Sequence, residues 1–209
     1  MAEQDERTQE DLQLLRRARS GQWEAFEALV NRFEPQIYNV AYRIVQQRQD
    51  AEDAVQQTFL SVMENMDGFR EQSSVATWIR RIVTNHALVI LRKRRVRKTV
   101  PLDGQSDDYA GMPHPDFIAQ WQDGPSELAE RAEVKQLLEE ALAELDEKYR
   151  LAFVLRDVEQ FSTREAAELL GISESNVKVR LLRARLQLRE RLTRRLGDES
   201  TRVFPDHDH

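Results

Sequence analysis

The sequence predicts an all-α fold: two small helical domains joined by a flexible acidic linker, the second containing a helix-turn-helix. Three observations predict it. Apolar residues recur at helical spacing along most of the 209 residues, and no alternating strand pattern interrupts them. Gly and Pro are few, at 7 and 6, and an aromatic content of 7% suits helices better than a large sheet. Residues 99–126 gather Pro101, Pro113, Pro115 and Pro125 with Gly104, Gly111, Gly124 and several Asp, which is a linker composition. The expected divisions are 1–98, 99–126, 127–196 and a frayed tail, 197–209.

Leu12, Leu15 and Ala18 make a short first helix, closed by Gly21. Trp23, Phe26, Leu29, Val30 and Phe33 form a second apolar stripe. Pro35 either kinks that helix or opens the next at its first turn. Ile37, Val40, Ala41, Ile44 and Val45 continue the spacing. Residues 50–66 read as a helix with Asp50, Glu52 and Asp53 in its first turn, where acids favour the helix dipole. Its expected buried side is Ala54, Val55, Phe59, Leu60 and Val62. Residues 69–74 read as a loop. A long helix follows from about Val75 to Arg95, with Trp78, Ile79, Ile82, Val83 and Val89 as core candidates. Helices resume near Ser126 and run to Leu196.

The net charge of −6 argues at first against a nucleic-acid partner. Its layout reverses that inference. Residues 72–98 carry eight basic and no acidic groups, and residues 174–196 are net +6, while residues 99–147 are net −11. Two basic blocks on motif-bearing helices suggest two polyanion-binding surfaces. The absence of Cys excludes disulfides, thiolate nucleophiles and Cys-ligated zinc, and fits a reducing compartment. No apolar run is long enough to span a membrane, so no membrane insertion is expected, and the acidic N-terminus does not resemble a signal peptide. There is no phosphate loop and no HExxH. Of the 4 His, His207 and His209 lie in the tail beside Asp206 and Asp208, where fraying outweighs a metal site. The expectation is a protein that is not an enzyme and takes no cofactor.

The sharpest motif is STREAAELLGISESNVKVRLLRAR, residues 162–185. Ser162 and Glu165 have capping-box spacing. Gly171 supplies a tight turn, Ile172 plugs the core, and Ser173 is a natural N-cap for the next helix. Ala167 allows close helix approach. Val177, Leu181, Ala184 and Leu188 fall on one stripe, the expected buried face. The other side offers Ser175, Asn176, Lys178, Val179, Leu182 and Arg183 to a major groove, where Arg and Lys reach guanine edges and Val meets a thymine methyl. Arg180, Arg185, Arg189 and Arg191 suit phosphate contacts.

A second segment, DAEDAVQQTFLSVMENMDGFREQSSVATWIRRIVTNHALVILRKRR, covers residues 50–95. Together with residues 145–192 it closely resembles the extracytoplasmic-function group of bacterial sigma factors, in the family's order and across most of residues 20–196. The resemblance implies a cytoplasmic protein that binds core RNA polymerase, recognises promoter DNA and promotes its opening. It implies that Asp50, Glu52, Asp53, Gln56, Gln57 and Phe59 dock on the polymerase clamp. It assigns Ser175, Asn176, Lys178, Val179, Arg180 and Arg183 to the minus-thirty-five element. Phe69, Arg70, Ser73 and Ser74 match the pocket that reads a flipped base of the minus-ten element, and Asn85 the edge of the melted strand. Arg80, Arg81 and Arg92 would hold backbone phosphate, while Trp78 reads as core. Many relatives are held by an anti-sigma protein, so one joins the expected partners. The acidic linker, with its Trp121, is expected to mimic nucleic acid in a polymerase channel. The rival readings are a helix-turn-helix regulator that binds duplex DNA without melting it, and an all-helical adaptor that binds only protein.

Overall fold

A computed structural model describes residues 2–97 and 132–196, with side chains described over 6–97 and 136–193. Eight α-helices and no strand occur among the described residues. The linker 99–126, including Trp121, and the tail 197–209 lie outside them.

Helix α1 spans Ala2–Arg19, longer than its three apolar positions suggested, and ends before Gly21 at a φ of +87°. Helix α2 spans Trp23–Val45. Pro35 does not open a new helix: it sits inside α2, on its exposed side. Trp23 corrects the expected stripe. It is 62% exposed and only leans on Phe26, with ring centroids 5.4 Å apart, because it sits at the helix's first residue. Gln46 ends α2 at a φ of 53°, and its side-chain amide donates to the Arg43 carbonyl at 3.1 Å.

Helix α3 spans Arg48–Asn65, a short 3₁₀ turn covers Met66–Gly68, and α4 runs Val75–Arg97. These four helices share one core around Leu29, Ile37, Ile44, Val62, Ile79 and Val83, all fully buried. Leu60 and Val89 are corrections, being exposed. Helix α3 turns Ala51, Ala54, Val55, Thr58 and Val62 inward, and α4 turns Val83, Ala87 and Leu91 inward. Leu60 and Val89 lie two residues from these stripes and so about 200° round the helix. Phe59 is half-buried against the core.

Helix α5 spans Ala132–Ala143 and α6 spans Glu147–Phe153, which runs into a π-helical turn at Val154–Val158. Helices α7, Thr163–Leu170, and α8, Glu174–Leu196, complete the chain. Two small apolar clusters hold this half together. One joins Leu142, Leu145 and Tyr149 to Ala184 and Leu188; the other joins Leu155, Phe161 and Ala166 to Val177. The expected stripe of Val177, Leu181, Ala184 and Leu188 is buried throughout. Leu151 and Val154 instead turn towards the first bundle and enter its core. Each such side chain contributes about 1.5–3 kcal/mol of apolar burial, so the two halves are packed together.

Candidate nucleic-acid interface

The helix-turn-helix is built by short-range chemistry. The Ser162 hydroxyl accepts from the Glu165 backbone N–H at 3.2 Å, and the Glu165 carboxylate accepts from the Ser162 N–H at 2.8 Å. The Ser162 backbone N–H foremost, and the Ser162 hydroxyl after it, hold the Glu165 carboxyl below its ordinary value. Gly171 ends α7 at a φ of 68°, a conformation that favours Gly. Ser173 then caps α8 by accepting from the Asn176 N–H at 3.2 Å. The turn thereby fixes the rotation of α8 and the direction its free side faces.

On that side Ser175 and Lys178 are exposed, while Asn176, Val179, Arg180 and Arg183 are half-buried. Arg183 is engaged within its own domain. Its guanidinium donates to the Tyr149 hydroxyl at 3.0 Å and lies 6.0 Å from the ring centroid. Arg185 grips Asp157 with two bonds of 2.8 and 2.7 Å, and Arg191 meets Glu144 at 3.2 Å. Arg185 and Arg191 thus stiffen the frame, and phosphate would have to compete for them. Arg189 is exposed.

In the first bundle, the loop expected over 69–74 is present between the 3₁₀ turn and α4. Phe69 is not a free stacking platform. It is 8% exposed and packs on Trp78 with centroids 5.0 Å apart, because the short loop draws it into the core. Ser74 caps α4, its hydroxyl accepting from the Thr77 N–H at 3.1 Å. Arg70, Glu71 and Gln72 are left exposed, with Ser73 half-buried. Glu71 and Gln72 are additions that the motif match did not single out. Farther along α4, Arg81, Asn85 and Arg92 are exposed and Arg80 is half-buried.

The structure brings this α4 face against the second domain. A cavity of about 370 Å³ is lined by Arg81, Asn85 and Arg92 from one side and by Phe161, Glu165 and Leu169 from the other. Arg81 pairs with Glu165, Arg92 donates to the Leu169 carbonyl, and Arg95 pairs with Glu147. Arg43 of α2 meets Glu139 at 2.6 Å. Glu159 is buried there too. Burial raises its carboxyl above the ordinary value, against the pull of Arg80 and Arg43. Like charges also converge. Arg150, 6% exposed, is brought down to about 10 by burial first and by Arg94 and Arg95 second. Arg95 is lowered by burial, then by Arg180, Arg92 and Arg94. The seam therefore combines carboxylates standing where phosphates could stand with guanidinium groups that repel one another.

The expected docking residues share α3. Asp53, Gln56 and Gln57 are exposed, Glu52 is half-buried beside Arg48 at 2.8 Å, and Phe59 is half-buried. Asp50 is half-buried and ion-paired with Arg94 of α4 at 2.8 Å. Leu60 and Met63 add exposed apolar surface to the same helix.

Comparisons with known proteins agree with this architecture. The Sigma-70 region 2 family model matches residues 29–97, and the Sigma-70, region 4 model matches residues 135–188. The ECF RNA polymerase sigma factor SigM of Mycobacterium tuberculosis is 33% identical over 193 residues, covering 92% of this chain and 88% of that protein. SigW of Bacillus subtilis is 29% identical, covering 85% of this chain and 94% of its own. Among solved structures, CnrH in complex with the cytosolic domain of CnrY is similar at a TM-score of 0.52 and 25% identity, over 88% of this chain and 98% of that one. A helix-turn-helix regulator would share only the second half, whereas these likenesses span both. The chain belongs to the ECF RNA polymerase sigma factors, non-enzymatic initiation factors that recognise promoters for RNA polymerase.

Proposed function

We propose that this sigma factor reads promoters in two parts and rests in the closed arrangement described above. Ser175, Asn176, Lys178, Val179, Arg180 and Arg183 contact the minus-thirty-five element. Arg70 and Ser73, held between the core-anchored Phe69 and the α4-capping Ser74, receive a flipped base of the minus-ten element. Asn85 meets the edge of the melted strand, and Arg80, Arg81 and Arg92 hold its phosphates. Asp50, Glu52, Asp53, Gln56, Gln57 and Phe59 dock on core polymerase. The working units are residues 1–98 and 127–196, with 99–126 as tether. The protein acts in the cytoplasm. An anti-sigma protein is a proposed partner, since the similar CnrH was solved with the cytosolic domain of CnrY.

The observation that carries the resting-state reading is the seam. Arg81, Asn85 and Arg92, three of the proposed minus-ten contacts, line a solvent-open cavity whose other wall includes α7, and Arg81 and Arg92 are bonded to it through Glu165 and the Leu169 carbonyl. Free protein then binds promoter DNA poorly, and polymerase separates the halves. The test is run-off transcription from a randomised promoter library with purified core polymerase, with 2-aminopurine fluorescence reporting opening. Opening only with polymerase present, on templates sharing two spaced elements, is the expected result. Equal opening by the free protein would reject the closed resting form.

A further inference from the structure

We infer that Arg16, on α1, is a positioning residue for reading the minus-ten element: it splints the loop 69–74 through Glu71. The inference rests on the assignment of that loop proposed above. The Arg16 guanidinium meets the Glu71 carboxylate two-pronged, Nε to Oε1 at 3.1 Å and Nη2 to Oε2 at 2.8 Å. Glu71 has a φ of 57°, in the left-handed region that L side chains rarely adopt. Such a conformation persists where surrounding contacts enforce it, and the fork from α1 is the contact in place here.

The rest of the loop is already pinned. Phe69 is anchored in the core beside Trp78, and Ser74 is committed to the cap of α4. Glu71 is the left-handed step between these two posts, so its conformation decides how Arg70, Gln72 and Ser73 are presented. One turn along α1, Arg19 holds the approach to the loop. Its Nη2 donates to the Asp67 carbonyl at 3.3 Å, and its Nε lies 3.4 Å from the Asp67 carboxylate. Helix α1 can bear this load because Leu15 and Ala18 are buried in the bundle.

Charge points the same way. Glu71 is the only acid between residues 68 and 98. A bare carboxylate in the reading loop would repel the strand it must admit, and Arg16 neutralises it. The pair is exposed, at 57% and 41%, so it adds little to global stability. Its effect falls on loop geometry and so on which base is accepted.

The test uses the full chain reconstituted with core polymerase. Transcription is measured from the preferred promoter and from the same promoter with each single-base change in the minus-ten element. Arg16→Ala is expected to lower the ratio of preferred to substituted templates by up to about fivefold, with the melting temperature and the dependence on the minus-thirty-five element unchanged. Exchanging the partners, Arg16→Glu with Glu71→Arg, is expected to recover most of the ratio. An unchanged ratio in Arg16→Ala overturns the inference, as does an equal drop on every template, which marks a purely structural pair. Arg70→Ala and Ser73→Ala are run alongside. If they shift the ratio and Arg16→Ala does not, the splint fails and the loop assignment stands. If none shifts it, the assignment fails and the splint with it.

Discussion

Glu165 holds the Ser162 backbone N–H with one carboxylate oxygen and Arg81 of α4 with the other. A single side chain thus starts the helix-turn-helix and ties it to α4, the helix proposed to meet the melted strand. Gln at the same position preserves a capping box but removes the charge opposite Arg81. Glu165→Gln is therefore expected to increase binding of the free protein to single-stranded minus-ten DNA by about two- to fivefold. Glu165→Ala also loses the bond from the Ser162 N–H, a cost of about 1 kcal/mol. Fluorescence anisotropy and thermal melts separate the two effects, and no gain in DNA binding by Glu165→Gln would count against the seam as a mask.

Glu159 gives a pH dependence of defined sign. Its carboxyl is raised from 4.5 by burial, the dominant effect, with Arg80 and Arg43 opposing and the Arg81–Glu165 pair nearby. A raised native value means that folding gains from protonating Glu159, and that gain is lost as pH rises through the raised value. At neutral pH the charged form is buried at a cost. Glu159→Gln is expected to melt at a higher temperature than wild type near neutrality. The difference should shrink as pH falls and vanish below 4.5. Melts at stepped pH check this, and a gap that widens on acidification would contradict it.

Arg183, a proposed base contact, is held to the frame of its domain by Tyr149. Removing the Tyr149 hydroxyl with Tyr149→Phe keeps the ring and deletes the acceptor at 3.0 Å. The expected cost is about 1 kcal/mol of stability, with binding to minus-thirty-five duplex retained. Arg183→Ala is expected to weaken that binding by roughly 1–3 kcal/mol through a lost base contact. Equal losses on duplexes with and without the element would reject the base contact.

Asp50, a member of the proposed docking set, is ion-paired with Arg94 at 2.8 Å. Asp50→Asn is expected to weaken assembly with core polymerase in competition against wild type. The helix itself should lose only about 0.3–1 kcal/mol, the usual worth of a charge at a helix start. Undiminished assembly would remove Asp50 from the docking set.

The helix-turn-helix was legible because its determinants are neighbours. Ser162, Glu165, Gly171 and Ser173 act across a few residues, and the Val177 stripe follows from helical geometry alone. The first bundle was legible in outline, but Trp23, Leu60 and Val89 were assigned inward. Periodicity finds an apolar position without showing which side the neighbouring helices leave bare. The left-handed Gln46, Glu71 and Gln160 carry no compositional mark, since nothing in a Gln or Glu announces a positive φ. The partners of the site residues were hidden by distance along the chain. Arg81 and Glu165 are 84 residues apart, and Arg183 and Tyr149 are 34 apart. Burial of Phe69 likewise depends on Trp78 being brought to meet it.

Leu151 and Val154 sit in the core of the first bundle although they belong to the second half of the chain. Separating the halves uncovers greasy surface on both, and water penalises the separated form until something else covers it. An opened molecule without polymerase is thus expected to be cut faster than the closed one. Limited digestion should find it short-lived, and supplying core polymerase should lengthen its survival.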